Sequence, residues 1–583
     1  MKDRLFRGYG PLIGFTALFL AVVLLVPSKA PEEVDPEGGD VSGVLDMIGE
    51  DGSELRYDED GNLIDPETGE VDPTVAGAAD STGSGSSGST GGSGSGSSGG
   101  SGSGGGSGTG NGAAGGNAAG GANKGPTKVA GCGGVQVKGD PYSPPCVQFS
   151  GSNGGATHRG VSDSEIVVTV RIDGFDSGLV DAVTKAASTA GKIPSEPREK
   201  VERTITGLVE YFNQRFQFYG RKIKMVIYDG KGDPLNEIIG NGQEGARADA
   251  VKVAKEIGAF ADVSAITAPY ASSLASEGVI NVGAPYVPRD WLTQRRPYSW
   301  TPLTDCTTVV EATSSYYATK MFGKPAVNAQ GALKDKPRRL VVVAPENKEY
   351  QDCVSAGIAM LNQRGAGSEL VGRYEYKIDV NNTGTARDVA TKLVADEATT
   401  LMCGCDPVFL NYLAQEIRAA NISPEMIMVG VALVDTDLVG QLFQQDVWRN
   451  AFGISFQGAT APQRSTIAYA AYKAVRPDEP SITVDILYNQ LYMLAIGIQM
   501  AGPDLNPLSF EKGMFSYPKR SGPYGSWGFG PNDYSTSDDV REVFWNPGAQ
   551  SVFNRAAGAY QNPNGDARFP IGKWPGGQPR AAG

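Results

Sequence analysis

From residue 165 onward, short apolar runs alternate with longer segments of helical period. The Val- and Ile-rich runs at 165–170, 222–229, 262–267 and 279–284 read as strands. Between them, 201–216 sets Val201, Ile205, Leu208, Val209 and Phe212 on one helical face. Residues 246–260 also read as a helix, and ASSLAS as a short one. The pattern then restarts. Helices are predicted at 306–322, 350–365, 385–397 and 407–420, and strands at 339–344, 370–376, 399–404, 425–430 and 450–456. A long apolar-faced helix follows within 484–502. Asp485, Asn489 and Gln490 interrupt its apolar run, which argues against a membrane span.

Strand–helix alternation of this kind builds a mostly parallel sheet covered on both faces. Two such units in succession predict an α/β architecture of two doubly wound lobes joined by a hinge. In open sheets, ligands bind outside the carboxyl ends of the strands. The post-strand loops therefore supply the candidates: Asp173 in 171–178; Tyr270, Ala271 and Ser272 in 268–273; Gly283, Ala284 and Pro285 in 283–288. In the second unit they are Tyr350, Cys405, Asp406 and Asp435. Several of these loops open helices, where free N–H groups suit an anion.

The front of the chain is different. Pro11 to Pro27 carries no charge, Lys2, Arg4 and Arg7 precede it, and an acidic run follows. At 17 residues this run is just long enough to span a bilayer of about 30 Å. The flanking charges place the N-terminus in the cytoplasm and the rest outside. An uncleaved anchor is favoured over a cleaved signal peptide, because Pro31 would follow the cut after Ala30. Residues 31–80 hold 17 acidic side chains against Arg56 alone, and 81–125 hold 21 glycines. Such compositions form a disordered, solvated leash. The expected organisation is therefore an anchor or signal segment at 1–30, a linker at 31–130, a lead-in at 131–160 and a two-lobed domain at 161–583. Lobe 1 takes about 161–304 plus C-terminal parts, and lobe 2 about 305–450.

The net charge of -14 resides in the acidic stretch, so the folded part is near neutral. With no basic face, nucleic acid is excluded as a partner. A single histidine, His158, leaves a His-based triad at most one member to draw on and removes multi-His metal sites, and no cofactor or metal is expected. Six cysteines in an exported chain point to disulfides. Cys132 and Cys146 bracket a short Gly/Pro-rich loop, whose closure is worth about 3 kcal/mol in the entropic model. Cys306, Cys353, Cys403 and Cys405 allow three pairings, which remain open.

The stretch TGLVEYFNQRFQFYGRKIKMVIYDGKGDP, together with PRRLVVVAPENKEYQDCVSAG and the lead-in SPPCVQFSGSNGGATHRGVSDSEIVV, resembles the type I periplasmic binding proteins. The branched-chain amino-acid group of ABC-transporter substrate-binding proteins is the nearest. The resemblance spans about 132–574 and implies a Venus-flytrap fold that closes on a small molecule and docks on an ABC permease. It implies a ligand-stacking role for Tyr350 and carboxylate-holding roles for Ala271 and Ser272, with Gly283, Ala284 and Pro285 in the next loop. Cys405 and Asp406 fall where amino-acid binders often carry a second Tyr. The acidic residue that would hold an ammonium is replaced by Val431–Ala432–Leu433, leaving Asp406 or Asp435 as substitutes. An apolar or carboxylate-bearing guest fits as well as an amino acid. Convergent acid, base and nucleophile are not found, so no enzyme is expected. The functional expectation is an extracytoplasmic solute-binding protein, tethered at the outer face of the cytoplasmic membrane, that serves an ABC-type importer. The alternative is a tethered ligand sensor or surface interaction module on the same fold.

Overall fold

The computed structural model describes residues 47–48, 54–57, 63–64, 134–172, 196–379, 382–430 and 434–581. The chain divides into two units, one comprising Pro27–Ala122 and the other the remainder. In the first unit, Met47–Ile48, Glu54–Tyr57 and Leu63–Ile64 pair antiparallel. This departs from the wholly unpaired spacer expected there. In sequence, Asp60-Gly61 lies between the second and third of these strands, a dipeptide that favours hairpin turns. The expected anchor at 1–30 lies outside the described residues. Among those described, no helix is long and apolar enough to cross a membrane.

The second unit holds two large sheets and a two-stranded one formed by Arg520–Gly522 and Gly525–Trp527. The first contains β1 (Glu165–Arg171), β2 (Lys222–Tyr228), β3 (Ala261–Asp262), β4 (Ile280–Val282) and β5 (Ser299–Trp300). They lie in the order β2-β1-β3-β4-β5, all parallel. The second sheet repeats that order with β6 (Leu340–Pro345), β7 (Leu370–Tyr376), β8 (Thr400–Cys403), β9 (Glu425–Gly430) and β10 (Ala451–Ser455). β11 (Asp539–Gln550) and β12 (Ala557–Gln561) extend it antiparallel. β6 is buried at every position, as a strand covered on both faces must be, and its near-continuous Val run serves that burial.

Helices cover the sheets through apolar stripes. In α1 (Arg198–Arg215), Val201, Ile205, Leu208 and Phe212 are buried. They face α9 (Val484–Ala501), where Phe212 meets Tyr488 at a ring separation of 5.3 Å. The lead-in is fastened to the same helix. Tyr492 donates to Asp140 at 2.6 Å, and Gln499 to Gln136 at 3.1 Å. Cys146 there is disulfide-bonded, while its expected partner Cys132 lies outside the described residues. The remaining four cysteines pair as Cys306–Cys353 and Cys403–Cys405.

The other elements are α2 (Pro234–Ile238), α3 (Gln243–Val251), α4 (Ala268–Ser276), α5 (Cys306–Tyr316), α6 (Lys348–Gln363), α7 (Thr383–Ala395) and α8 (Pro407–Ala419). Two predicted helices change winding. Residues 252–257 and 317–321 continue α3 and α5 as π-helical turns. The strand predicted at 262–267 pairs only at Ala261–Asp262, because the Asp262 carboxylate takes the Ser264 N–H at 2.7 Å and ends the ladder. The chain passes from one sheet to the other after β5, after β10 and before β11. The first and third passages run side by side, where Thr301 donates its N–H to Tyr534 and its Oγ1 accepts from Leu303.

Candidate functional site

The carboxyl ends of both sheets face a cavity of about 430 Å³. From the first lobe it is lined by Glu237 and Ile238 of α2, by 266–269 at the start of α4, and by Pro285, Tyr286 and Val287 after β4. From the second lobe come the end of β6, the first turn of α6, residues 403–406 after β8, and the facing sides of α5 and α6. The lobes touch directly. Asn347, just before α6, donates its side-chain amide to the Ile238 carbonyl at 3.1 Å.

Pro285, Tyr350, Cys405 and Asp406, all expected from the sequence, line this cavity together. Burial beside Glu349 and Asp406 pushes the Tyr350 hydroxyl up to about 12. Asp406 caps α8, accepting from the Val408 and Phe409 amides at 2.9 Å each, and its other oxygen accepts from Tyr376 at 2.7 Å. Burial still raises its carboxyl above the ordinary range, against those hydrogen bonds. Cys403 and Cys405, joined across Gly404, form the cavity wall at the end of β8. Cys306–Cys353 forms another part by tying α5 to α6.

The other expected residues lie elsewhere. Tyr270 turns into the first lobe. Its hydroxyl donates to Asp262 at 3.1 Å, lies 2.6 Å from that of Tyr228, and its ring carries the Arg171 guanidinium at 3.9 Å. Ala271 and Ala284 are core residues, and Gly283 packs so closely on the Ala265 backbone that a Cβ would clash. Ser272 lines an adjoining pocket, where it accepts from Arg295 Nε at 3.0 Å. Burial lowers that guanidinium to about 10. Asp435 is buried in the second lobe and accepts from Ser455 at 2.5 Å. Asp173 and 431–433 lie outside the described residues.

Sequence reasoning missed Glu237, Thr267 and Asn347. Glu237, in α2, lies against the start of α4, where Thr267 donates to it. Arg171, the last residue of β1, grips its two oxygens at 2.7 and 3.0 Å. Asp249 completes the buried network, 3.1 Å from Arg171. A signal for Glu237 existed, since it follows β2 and the strand-end rule applies to that loop too. The Arg171–Glu237 contact, 66 residues apart, had none.

No curated protein matches the chain significantly. Among solved structures, an ABC transporter substrate binding protein from Aeropyrum pernix shares 12% identity at a TM-score of 0.47, covering 70% of this chain and 96% of that one. A branched-chain amino acid transporter substrate binding protein from Streptococcus pneumoniae, in complex with isoleucine, shares 15% at 0.45, covering 69% and 99%. A solute binding protein of an ABC transporter from Rhodopseudomonas palustris, in complex with 3,4-dihydroxybenzoic acid, shares 11% at 0.46, covering 70% and 97%. The family model described as periplasmic binding protein matches residues 199–550, which take in both sheets apart from β1 and the C-terminal strands beyond β11. The chain belongs to the periplasmic binding protein family.

Proposed function

We propose that this chain is an extracytoplasmic solute-binding protein, without catalytic activity, that holds a small molecule between its lobes. The bound form then docks on an ABC-type permease in the cytoplasmic membrane, to which the apolar N-terminal segment tethers it. The observation that carries the reading is the cavity of about 430 Å³ at the carboxyl ends of both sheets, within the range of small-molecule sites. Tyr350, Pro285, Cys405 and Asp406 are the contacts proposed for the guest. The Asn347–Ile238 hydrogen bond joins the lobes at the cavity edge, where closure over a guest requires contact.

Native mass spectrometry of the purified full chain, followed by a thermal-shift screen of small acids, amino acids and apolar molecules, tests the reading. A guest at 100 times its Kd adds about 2.7 kcal/mol of stability. Tyr350→Ala is expected to abolish that shift while the unliganded melting temperature stays close to wild type. A shift that survives the substitution moves the site elsewhere.

A further inference from the structure

We infer that the guest is an uncharged, predominantly apolar molecule, because among the described residues the wall is mostly aliphatic, its buried cation is already shared by two carboxylates and its deep carboxylates are already hydrogen-bonded. This rests on the capture reading above. The wall is mostly aliphatic, with Ile238, Ile266, Val310, Val354, Ile358 and Leu361 among its surfaces. Two of its charged groups are deeply set, and both are committed. Glu237 is held bidentate by Arg171, at 2.7 and 3.0 Å, and also accepts from Thr267. Asp406 accepts three hydrogen bonds, from two amides of α8 and from Tyr376.

The remaining charges belong to the rim. Asp379 is exposed, and Lys348 is 82% exposed and bonded to Asp352 at 2.6 Å. Helix starts at the cavity are occupied in the same way. Thr267 caps α4, whose second residue is Pro269 and brings no N–H; Asp305 caps α5 and Asp406 caps α8. α6 has no side-chain cap, but Glu349 in its first turn offsets the positive end of its dipole.

A guest carboxylate entering this space meets Glu237, Asp406 and Glu349 while the buried cation, Arg171, is already spent. A guest ammonium gives up its water for carboxylates whose hydrogen bonds are already made. Either charge costs several kcal/mol to bury without a partner of its own. A neutral aliphatic or aromatic molecule has no such cost, and a hydroxyl or carbonyl on it can reach the rim. The Arg171–Glu237 pair thus excludes anions by placing the protein's own carboxylate at the start of α4.

Calorimetric titration of the full chain at neutral pH with decanol, decanoate, decylamine and leucine tests this. Decanol is expected to bind at least about tenfold more tightly than decanoate or decylamine, with leucine silent. Tighter binding of decanoate, decylamine or leucine, lost in Tyr350→Ala, overturns the uncharged guest but leaves capture in the cleft standing. Binding of none of the four overturns the apolar guest, while capture in the cleft stands or falls by the wider screen above. Glu237→Gln, confirmed folded by circular dichroism, removes one of the two carboxylates that share Arg171, leaving Asp249 as its partner, and is expected to raise decanoate affinity about tenfold with decanol unchanged. A folded variant with unaltered decanoate affinity overturns the role given to Glu237. If the variant does not fold, the wild-type ranking alone decides.

Discussion

Among the described residues, each lobe buries one arginine–glutamate pair, and the two pairs sit at opposite ends of their sheets. Arg171–Glu237 lies at the carboxyl end of β1, and Glu237 forms part of the cavity wall. Arg338–Glu425 lies at the amino ends of β6 and β9, bonded at 2.9 and 3.1 Å, with Arg338 also donating to the Met321 carbonyl at 2.6 Å. Both pairs are fully shielded from solvent. Both pair a guanidinium with a glutamate, although Arg171 also meets Asp249 at 3.1 Å, so position and that second carboxylate distinguish them. Desolvating two charges offsets most of the attraction between them, and neither pair is there chiefly for stability. The second fixes the turn after the π-helical end of α5 against the sheet. The first sets the charge of the binding wall.

Removing one partner is therefore the strongest way to test the comparison. Arg171→Met and Arg338→Met each strand a buried glutamate and are expected to lose about 3–5 kcal/mol in urea denaturation. Guest affinity is expected to change only in Arg171→Met. An equal change in both variants would mean that position does not separate the pairs. The disulfides sharpen the same contrast at smaller scale. Cys306–Cys353 closes a separation of 47 residues, and replacing both cysteines by serine is expected to cost about 2–4 kcal/mol. Cys403–Cys405 closes a separation of 2, and its replacement is expected to cost only about 1 kcal/mol in the same loop-entropy model. Melting temperatures of the two double variants check the order. A larger loss from the shorter loop would show that it acts through cavity packing and not through chain entropy.

The regular elements were the most legible part of this chain. The strands predicted at 370–376 and 425–430 are observed as Leu370–Tyr376 and Glu425–Gly430. Where period and burial agree, sequence alone places an element. It failed where a side chain intervened, as when Asp262 ended β3, and where pairing is long-range. β11 joins the second sheet antiparallel from 84 residues beyond β10, and Pro547 interrupts its apolar pattern. The site was half legible for a related reason. The strand-end rule finds the right loops but not the phase of the helices they open. In α4, Ala268 and Pro269 face the cavity, whereas Tyr270, Ala271 and Leu274 turn to the core. The same rule reaches Glu237 when the loop after β2 is included. That Glu237 is already paired depends on Arg171, which no local pattern connects to it.

A half-buried carboxylate, Asp533, provides the smallest test, because it has no arginine gripping it from two sides. It stands beside the first and third passages between the lobes, and burial raises its carboxyl to about 7, with Asp538 and Asp305 adding like charge and Arg289 opposing. Its folded value thus lies above the unfolded one of about 3.9. Its favourable contribution is fully present below the unfolded value and is lost as pH rises through the folded value near 7. Stability is expected to fall between about pH 4 and about pH 7 on this account, and Asp533→Asn to flatten that part of the profile. Urea midpoints at about pH 5 and about pH 8 for wild type and Asp533→Asn decide the matter. An unchanged slope in Asp533→Asn would assign the titration to another group and remove the hinge carboxylate from the comparison.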